Sequence, residues 1–182
     1  MKPACLPALL LIAAAPAGPA SGGGVTAVIE IPAGSDIKYE RDAQGRLFVD
    51  RFLALPVHYP VNYGVVDGTR AGDGDELDVL VHTRTPVMPG ARIRVRPVGV
   101  LRMTDAGQAD HKIVAVPADS VDPAYARVET VTDLPAADVA RIADFFRLYK
   151  QAPDGASPVV LSGFGDADEA ADIIRVASAQ PR

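Results

Sequence analysis

The chain has 182 residues, a formal net charge of −5 and one cysteine. This length fits one domain with a substantial apolar core. A single cysteine excludes an intrachain disulfide framework and a thiolate zinc cluster, and the negative charge is unfavourable for a protein that grips nucleic acid through its phosphates.

The first segment, residues 1–21, has the pattern of a secretory signal peptide. Lys2 precedes an almost wholly apolar run, Ala4–Ala20, which is interrupted by Pro16 and Pro19 and is short for a membrane span. We therefore predict cleavage, export to the periplasm and no stable membrane anchor. Cys5 would leave with this segment. A cytoplasmic location is the alternative.

Five short runs rich in valine, isoleucine and leucine follow and predict β-strands. They are Val25–Ile31, Leu47–Phe52, Leu77–Val81, Arg92–Met103 and Lys112–Val116. Turns rich in glycine, proline and aspartate separate these runs. At the start of the fourth run, three arginines alternate with apolar residues, which predicts a solvated outer face on a half-buried strand.

Two helices are predicted near the C-terminal end. The first follows Asp133, has a proline in its first turn and carries an apolar stripe from Val139 to Tyr149. The second begins at Asp166, with Glu169 three residues later as in a capping box. Strands followed by helices indicate an α+β domain over residues 25–178, with a small barrel or strongly curved sheet covered by helices.

An acidic segment, residues 73–78, places Asp73, Asp75 and Asp78 within six residues. Two such charges repel by about 4 kcal/mol at about 4 Å near a protein surface, so the cluster favours a bound cation. Carboxylate oxygens are hard ligands that suit Mg²⁺, Mn²⁺ or Ca²⁺. A solvated turn between two strands is the alternative. The spacing excludes an EF-hand loop.

A second acidic pair, Asp105 and Asp110, lies in a polar link between two apolar runs. If the two loops converge, their carboxylates form one cation cluster. The three histidines, His58, His82 and His111, are scattered along the chain, so a three-histidine metal centre needs a coincidence of folding.

Elimination leaves metal-assisted hydrolysis as the chemistry that the residues favour. The chain contains no nucleophile elbow, zinc-protease motif, Walker loop or dinucleotide-binding turn. Water is then the nucleophile. Asp75, flanked by Asp73 and Asp78, is a candidate proton acceptor. Candidate cations for an anionic substrate are Lys38, Arg51, Lys112 and Lys150, although lysines are mostly solvated surface charges.

Nine segments together resemble the soluble inorganic pyrophosphatases, a metal-dependent single-domain family of bacteria and eukaryotes. They occur in the family's order and comprise residues 28–32, 37–40, 48–51, 59–64, 73–79, 96–100, 103–105, 110–112 and 145–150. The resemblance runs from about Val28 to Ile174, and the acidic segment alone is a signature of the family. The resemblance implies that residues 25–178 form a pyrophosphatase catalytic domain.

The resemblance implies hydrolysis of diphosphate to two orthophosphates with several Mg²⁺ ions, or Mn²⁺ or other divalent metals in their place. It also implies a five-stranded antiparallel barrel of the oligonucleotide-binding (OB) type with two C-terminal helices packed outside. A metal-dependent phosphatase of broader specificity and a non-catalytic binding barrel are the alternatives.

The family's site residues carry over by position. Asp75 corresponds to the general base. The metal-binding positions correspond to Asp73, Asp78, Asp105 and Asp110, with Glu30 and Glu40 as further acidic positions. The groups that bind the two phosphates correspond to Lys38, Arg51, Tyr63, Lys112, Tyr149 and Lys150. The resemblance also implies a homo-oligomer. Histidines that help to build a hexamer in bacterial relatives are replaced here by Asp144 and Leu148.

Overall fold

A closed ring of five strands forms the centre of the computed structural model, which describes residues 24–72, 74–150 and 159–180. The strands are β1 Val25–Ile31, β2 Ile37–Arg41, β3 Leu47–Phe52, β4 Asn62–Val66, β5 Asp78–Val81, β6 Arg92–Asp105, β7 Gln108–Ala109, β8 Lys112–Pro117 and β9 Val159–Gly165. The helices are α1 Ala136–Leu148 and α2 Ala167–Ser178, and two short 3₁₀ turns precede α1.

The ring runs β1, β4, β5, β8 and β6, and β6 pairs back onto β1. The predicted α+β class and OB-like barrel are confirmed. One ring pairing, β5 with β8, is parallel, which differs from the antiparallel barrel expected. Parallel neighbours need a long crossover connection. Here the long strand β6 and the short β7 lie between β5 and β8 along the chain and supply it.

The ring contains β4, which the sequence patterns did not predict. The residues of β4 include asparagine and glycine, both of which are depleted in strands. Gly64 is required by the packing, because a Cβ at this position would lie 2.0 Å from the carbonyl oxygen of Val28 on β1. The predicted run Leu47–Phe52 does form a strand, β3, but it pairs with β2 in a separate two-stranded sheet outside the ring.

Each helix covers one side of the barrel. Helix α1 buries Ile142, Phe145 and Phe146 in the larger apolar cluster, and α2 buries Ala170 and Ile174 in the second. Both predicted helices are confirmed, since α1 begins at Ala136 and α2 begins directly after Asp166. The side chain of Asp166 accepts the backbone N–H of Glu169 at 2.9 Å, which satisfies one of the unpaired donors at the helix start.

The alternating arginines of β6 divide between two environments. Arg92 and Arg94 are exposed, as the alternation predicts. Arg96 is half-buried instead and donates to the carbonyl oxygens of Val128 and Tyr125 at 2.6 and 2.9 Å. It therefore helps to fix the segment that precedes α1.

The predicted signal peptide, residues 1–21, lies outside the described residues. In the part of the chain that the structure does describe, no helix is both long enough and apolar enough to cross a membrane.

Candidate active site

A charged cleft of about 620 Å³ opens on one face of the barrel. Strands β1, β2, β3 and β4, the acidic segment, the start of β8 and the C-terminal end of α1 all contribute side chains to it. A smaller cavity of about 350 Å³ lies between the acidic segment and α2, and its lining is mostly apolar. The larger cleft is therefore the place where acidic and basic groups concentrate.

The described part of the cleft lining contains seven carboxylates and five cationic side chains. The carboxylates are Glu30, Glu40, Asp42, Asp75, Glu76, Asp78 and Asp110, and the cations are Lys38, Arg41, Arg51, Lys112 and Lys150. The lining thus carries an excess of two negative charges. Such an excess attracts further cations, and an anion can enter only if they are present.

Lys112 lies between two carboxylates of different loops. Its Nζ donates to Asp78 and, at 2.5 Å, to Asp110. Lys112 is only 2% exposed. Burial lowers the pKa of Lys112, but the two carboxylates outweigh burial and raise the pKa above its usual value. Lys112 is therefore charged at neutral pH and holds the two acidic loops together.

Among the described carboxylates of the acidic segment, Asp78 is the most enclosed, since its side chain is less exposed than those of Asp75 and Glu76. Burial raises its pKa, although the bonds from Lys112 and from the Tyr63 hydroxyl oppose that shift. Burial also raises the pKa of Tyr63 well above its usual value, and Asp78 adds to the effect. The same cause acts on Tyr149. Both hydroxyls therefore keep their protons at neutral pH and are available as hydrogen-bond donors.

Asp105 lies at the edge of the cleft, at the end of β6. Its Oδ2 accepts a hydrogen bond from Lys150. Its Oδ1 is buried and has no hydrogen-bond partner among the described residues. A buried carboxylate oxygen without a partner is costly. Such an atom fits a divalent cation, which takes carboxylate oxygens as ligands.

Comparison with known proteins identifies the chain's relatives. The inorganic pyrophosphatase family model matches residues 27–181. This match covers well over half of the chain.

The chain belongs to the inorganic pyrophosphatase family.

An inorganic pyrophosphatase of Haemophilus ducreyi is 50% identical over 157 residues, which are 85% of this chain and 89% of that protein. One of Caulobacter vibrioides is 48% identical over 155 residues, 84% of this chain and 87% of that protein. Both relatives are matched over nearly their whole length.

Solved structures agree with this family membership. A crystal structure of an inorganic phosphatase from Anaplasma phagocytophilum matches with a TM-score of 0.82 and 45% identity, covering 88% of this chain and 95% of that one. An inorganic pyrophosphatase from Helicobacter pylori matches with a TM-score of 0.81 and 36% identity, covering 85% and 91% of the two chains.

The fold brings nearly all of the predicted site residues together. Eleven of them line the cleft: Glu30, Lys38, Glu40, Arg51, Tyr63, Asp75, Asp78, Asp110, Lys112, Tyr149 and Lys150. Asp105 joins them through its ion pair with Lys150. Asp73 lies outside the described residues. Within the described ranges, no three acidic, histidine or cysteine side chains are close enough together to hold a metal ion. Lys112 lies between two of the carboxylates, Asp78 and Asp110.

Sequence reasoning missed several members of the site. Arg41 and Glu76 form an ion pair in the cleft, at 2.5 Å between Nη2 and Oε2. Asp50 contacts Arg51 at 2.5 Å and Lys38 at 3.6 Å. Glu76 directly follows Asp75, and Asp50 directly precedes Arg51. Because both neighbours were predicted site residues, Glu76 and Asp50 could have been found by their position in the sequence. Arg41 ends a strand that was not predicted, and its partners are distant in sequence.

Proposed function

We propose that this pyrophosphatase family member hydrolyses inorganic diphosphate to two orthophosphates, using divalent metal ions bound in the cleft. One observation carries the proposal: carboxylates from β1, β2, the acidic segment and the β6–β8 link converge with five cations in a single cleft. A multiply charged anion needs both kinds of group, because the carboxylates repel it until cations intervene.

The proposed metal ligands are the carboxylates of Asp73, Asp78, Asp105 and Asp110. Glu30 and Glu40 serve as further acidic positions. These hard oxygen donors fit Mg²⁺, with Mn²⁺ as a substitute. The buried, unpartnered Oδ1 of Asp105 and the negative excess of the lining support this choice. When bound, such ions neutralise charge on phosphate oxygens and acidify a water molecule.

The proposed phosphate-binding groups are Lys38, Arg51, Lys112 and Lys150, together with the hydroxyls of Tyr63 and Tyr149. The four cations are paired with carboxylates. If Glu40, Asp78, Asp105 and Asp110 act as metal ligands, the three lysines paired with them become available to phosphate oxygens, where Arg51 joins them. They then stabilise the charge that develops on the leaving phosphate.

Asp75 is the proposed general base. It lines the cleft and is exposed in the acidic segment, where water reaches it. Its backbone oxygen accepts the N–H of Ala71 at 2.6 Å, which fixes the main chain at this position. The carboxylate accepts the proton of the attacking water, and the leaving phosphate departs in line with the attack.

A Mg²⁺-titrated assay of phosphate release, run with diphosphate, triphosphate and ATP, tests the proposed function. We expect turnover of diphosphate that rises with Mg²⁺ and is lost in excess chelator. Triphosphate and ATP should be cleaved much more slowly. Equal rates on all three substrates would instead indicate a phosphatase of broader specificity. Tight binding of single-stranded DNA without diphosphate turnover would indicate a non-catalytic barrel.

We further propose that residues 1–21 direct export to the periplasm and that the exported chain is a homo-oligomer. The apolar, proline-interrupted start of the chain supports the first proposal. Native and denatured masses of the protein purified from the periplasmic fraction test both. We expect a chain that lacks residues 1–21 and a native mass that is a multiple of its mass. A full-length chain confined to the cytoplasm, or a monomer, would contradict them.

A further inference from the structure

Arg41, the last residue of β2, bridges two carboxylates of different elements. Its Nε donates to Oε1 of Glu30 on β1, and its Nη2 donates to Oε2 of Glu76 in the acidic segment, each at 2.5 Å. The side chain of Arg41 is only 25% exposed, and that of Glu30 is 10% exposed. The bridge is therefore partly shielded from water, where ion pairs are stronger than at an open surface.

The acidic segment is also bound to the connection that follows β4. Oε1 of Glu76 accepts the N–H of Gly68 at 3.1 Å. The N–H of Leu77 donates to the hydroxyl of Thr69 at 3.0 Å, and that hydroxyl donates to the carbonyl oxygen of Val66 at 2.6 Å. Glu76 thus uses one carboxylate oxygen for this connection and the other for Arg41. The position of the segment between its neighbours depends on both bonds.

Asp75 directly precedes Glu76 in this segment and lines the cleft. A planar guanidinium with donors in a rigid fork can fix two carboxylates in a defined relative position, which a single ammonium point charge does less well. In Arg41, two of these donors are already engaged by Glu30 and Glu76. This arrangement is better suited to a structural role, in which Arg41 holds the two carboxylates in place, than to binding phosphate.

We propose that Arg41 is a positioning residue, which fixes the acidic segment against β1 and so holds Asp75 in its place in the cleft. The catalytic part of this inference rests on the proposed diphosphatase function. Removing partners that orient metal ligands or reacting groups typically costs about 10–100-fold in activity or metal affinity. A change of this size is expected here without any contact between Arg41 and substrate.

The test compares the wild type with Arg41→Met, which keeps most of the side-chain volume and removes the guanidinium. We expect kcat for diphosphate to fall about 10–100-fold at saturating Mg²⁺, with a change in KM of less than about threefold. Without substrate, amide hydrogen exchange over residues 67–77 should accelerate relative to the rest of the barrel. Arg41→Lys, which keeps the charge but loses the fork, should give intermediate values of both quantities.

Arg46→Met is the matched control. Arg46 lies in the turn between β2 and β3 and pairs only with the adjacent Asp42 and Gln44 among described groups, with a side chain that is 75% exposed. Its replacement should leave kcat and the exchange of residues 67–77 unchanged. In the Arg41→Met background, adding Glu76→Gln should lower kcat by less than about twofold, because the two residues act through one bond.

A higher KM with unchanged kcat in Arg41→Met would overturn the proposal, because Arg41 would then bind substrate directly. Unchanged exchange over residues 67–77 would also overturn it. If Arg41→Met does not fold, the comparison of Arg41→Lys with wild type decides the question by the same two measurements. If the wild type itself does not hydrolyse diphosphate, the proposed function fails, while the exchange experiment still tests whether Arg41 fixes the segment.

Discussion

Asp75→Asn is expected to lower kcat for diphosphate by about 10²–10⁴-fold, the usual contribution of a positioned general base. The amide keeps the shape of the carboxylate but cannot accept a proton from water. The main chain at this position is held by the bond from Ala71, which the substitution does not touch. The fold and most of the metal affinity should therefore persist.

Steady-state kinetics at saturating Mg²⁺, together with calorimetric titration of Mg²⁺, measure these quantities. Asp67→Asn is a matched control, because Asp67 lies in the same connection between β4 and β5 but pairs with Arg92 on the outside of the barrel. Its kcat should stay within about twofold of the wild type, since an exposed pair contributes little. Wild-type turnover by Asp75→Asn would show that another group accepts the proton.

Lys112→Met is expected to have the second large effect, on both stability and activity. It removes the buried ammonium between Asp78 and Asp110 and leaves two carboxylates facing each other. Breaking a buried ion pair by removing one partner typically costs about 3–5 kcal/mol of unfolding free energy. We expect a loss of this size when metal is removed by chelator. With Mg²⁺ present the loss should be smaller, because the ion replaces the missing positive charge.

Turnover by Lys112→Met should not recover with Mg²⁺, because a phosphate-binding group is gone. A loss of about 10²–10³-fold in kcat is typical for one stabilising donor in an active site. Urea unfolding with and without Mg²⁺ and diphosphate kinetics measure the two effects. Arg175→Met, which removes an exposed pair with Asp172 on α2, is the control and should change the unfolding free energy by less than about 1 kcal/mol. Equal stability of Lys112→Met and wild type in chelator would refute the proposed role of Lys112 as counter-charge.

The helices and four of the five ring strands could be predicted because their signals are local. The apolar stripe of α1 and the acidic cap of α2 depend on residues within one or two turns. Strand β4 could not be predicted, because Gly64 weakens the strand pattern. The need for glycine at this position is seen only in the structure, where the backbone of β1 leaves no room for a side chain. The hairpin β2–β3 shows the same limit: Leu47–Phe52 forms the predicted strand, yet pattern alone does not reveal which partner it takes.

By itself, the sequence determined the fold class, the family resemblance and the types of residue that the chemistry needs. These features depend only on short local segments and on the order of those segments along the chain. The tertiary structure alone decided which carboxylate faces which cation. Arg41 meets Glu76 across 35 positions, and Lys150 meets Asp105 across 45. Contacts between such distant residues follow from the closure of the barrel and the docking of α1, which no local pattern specifies.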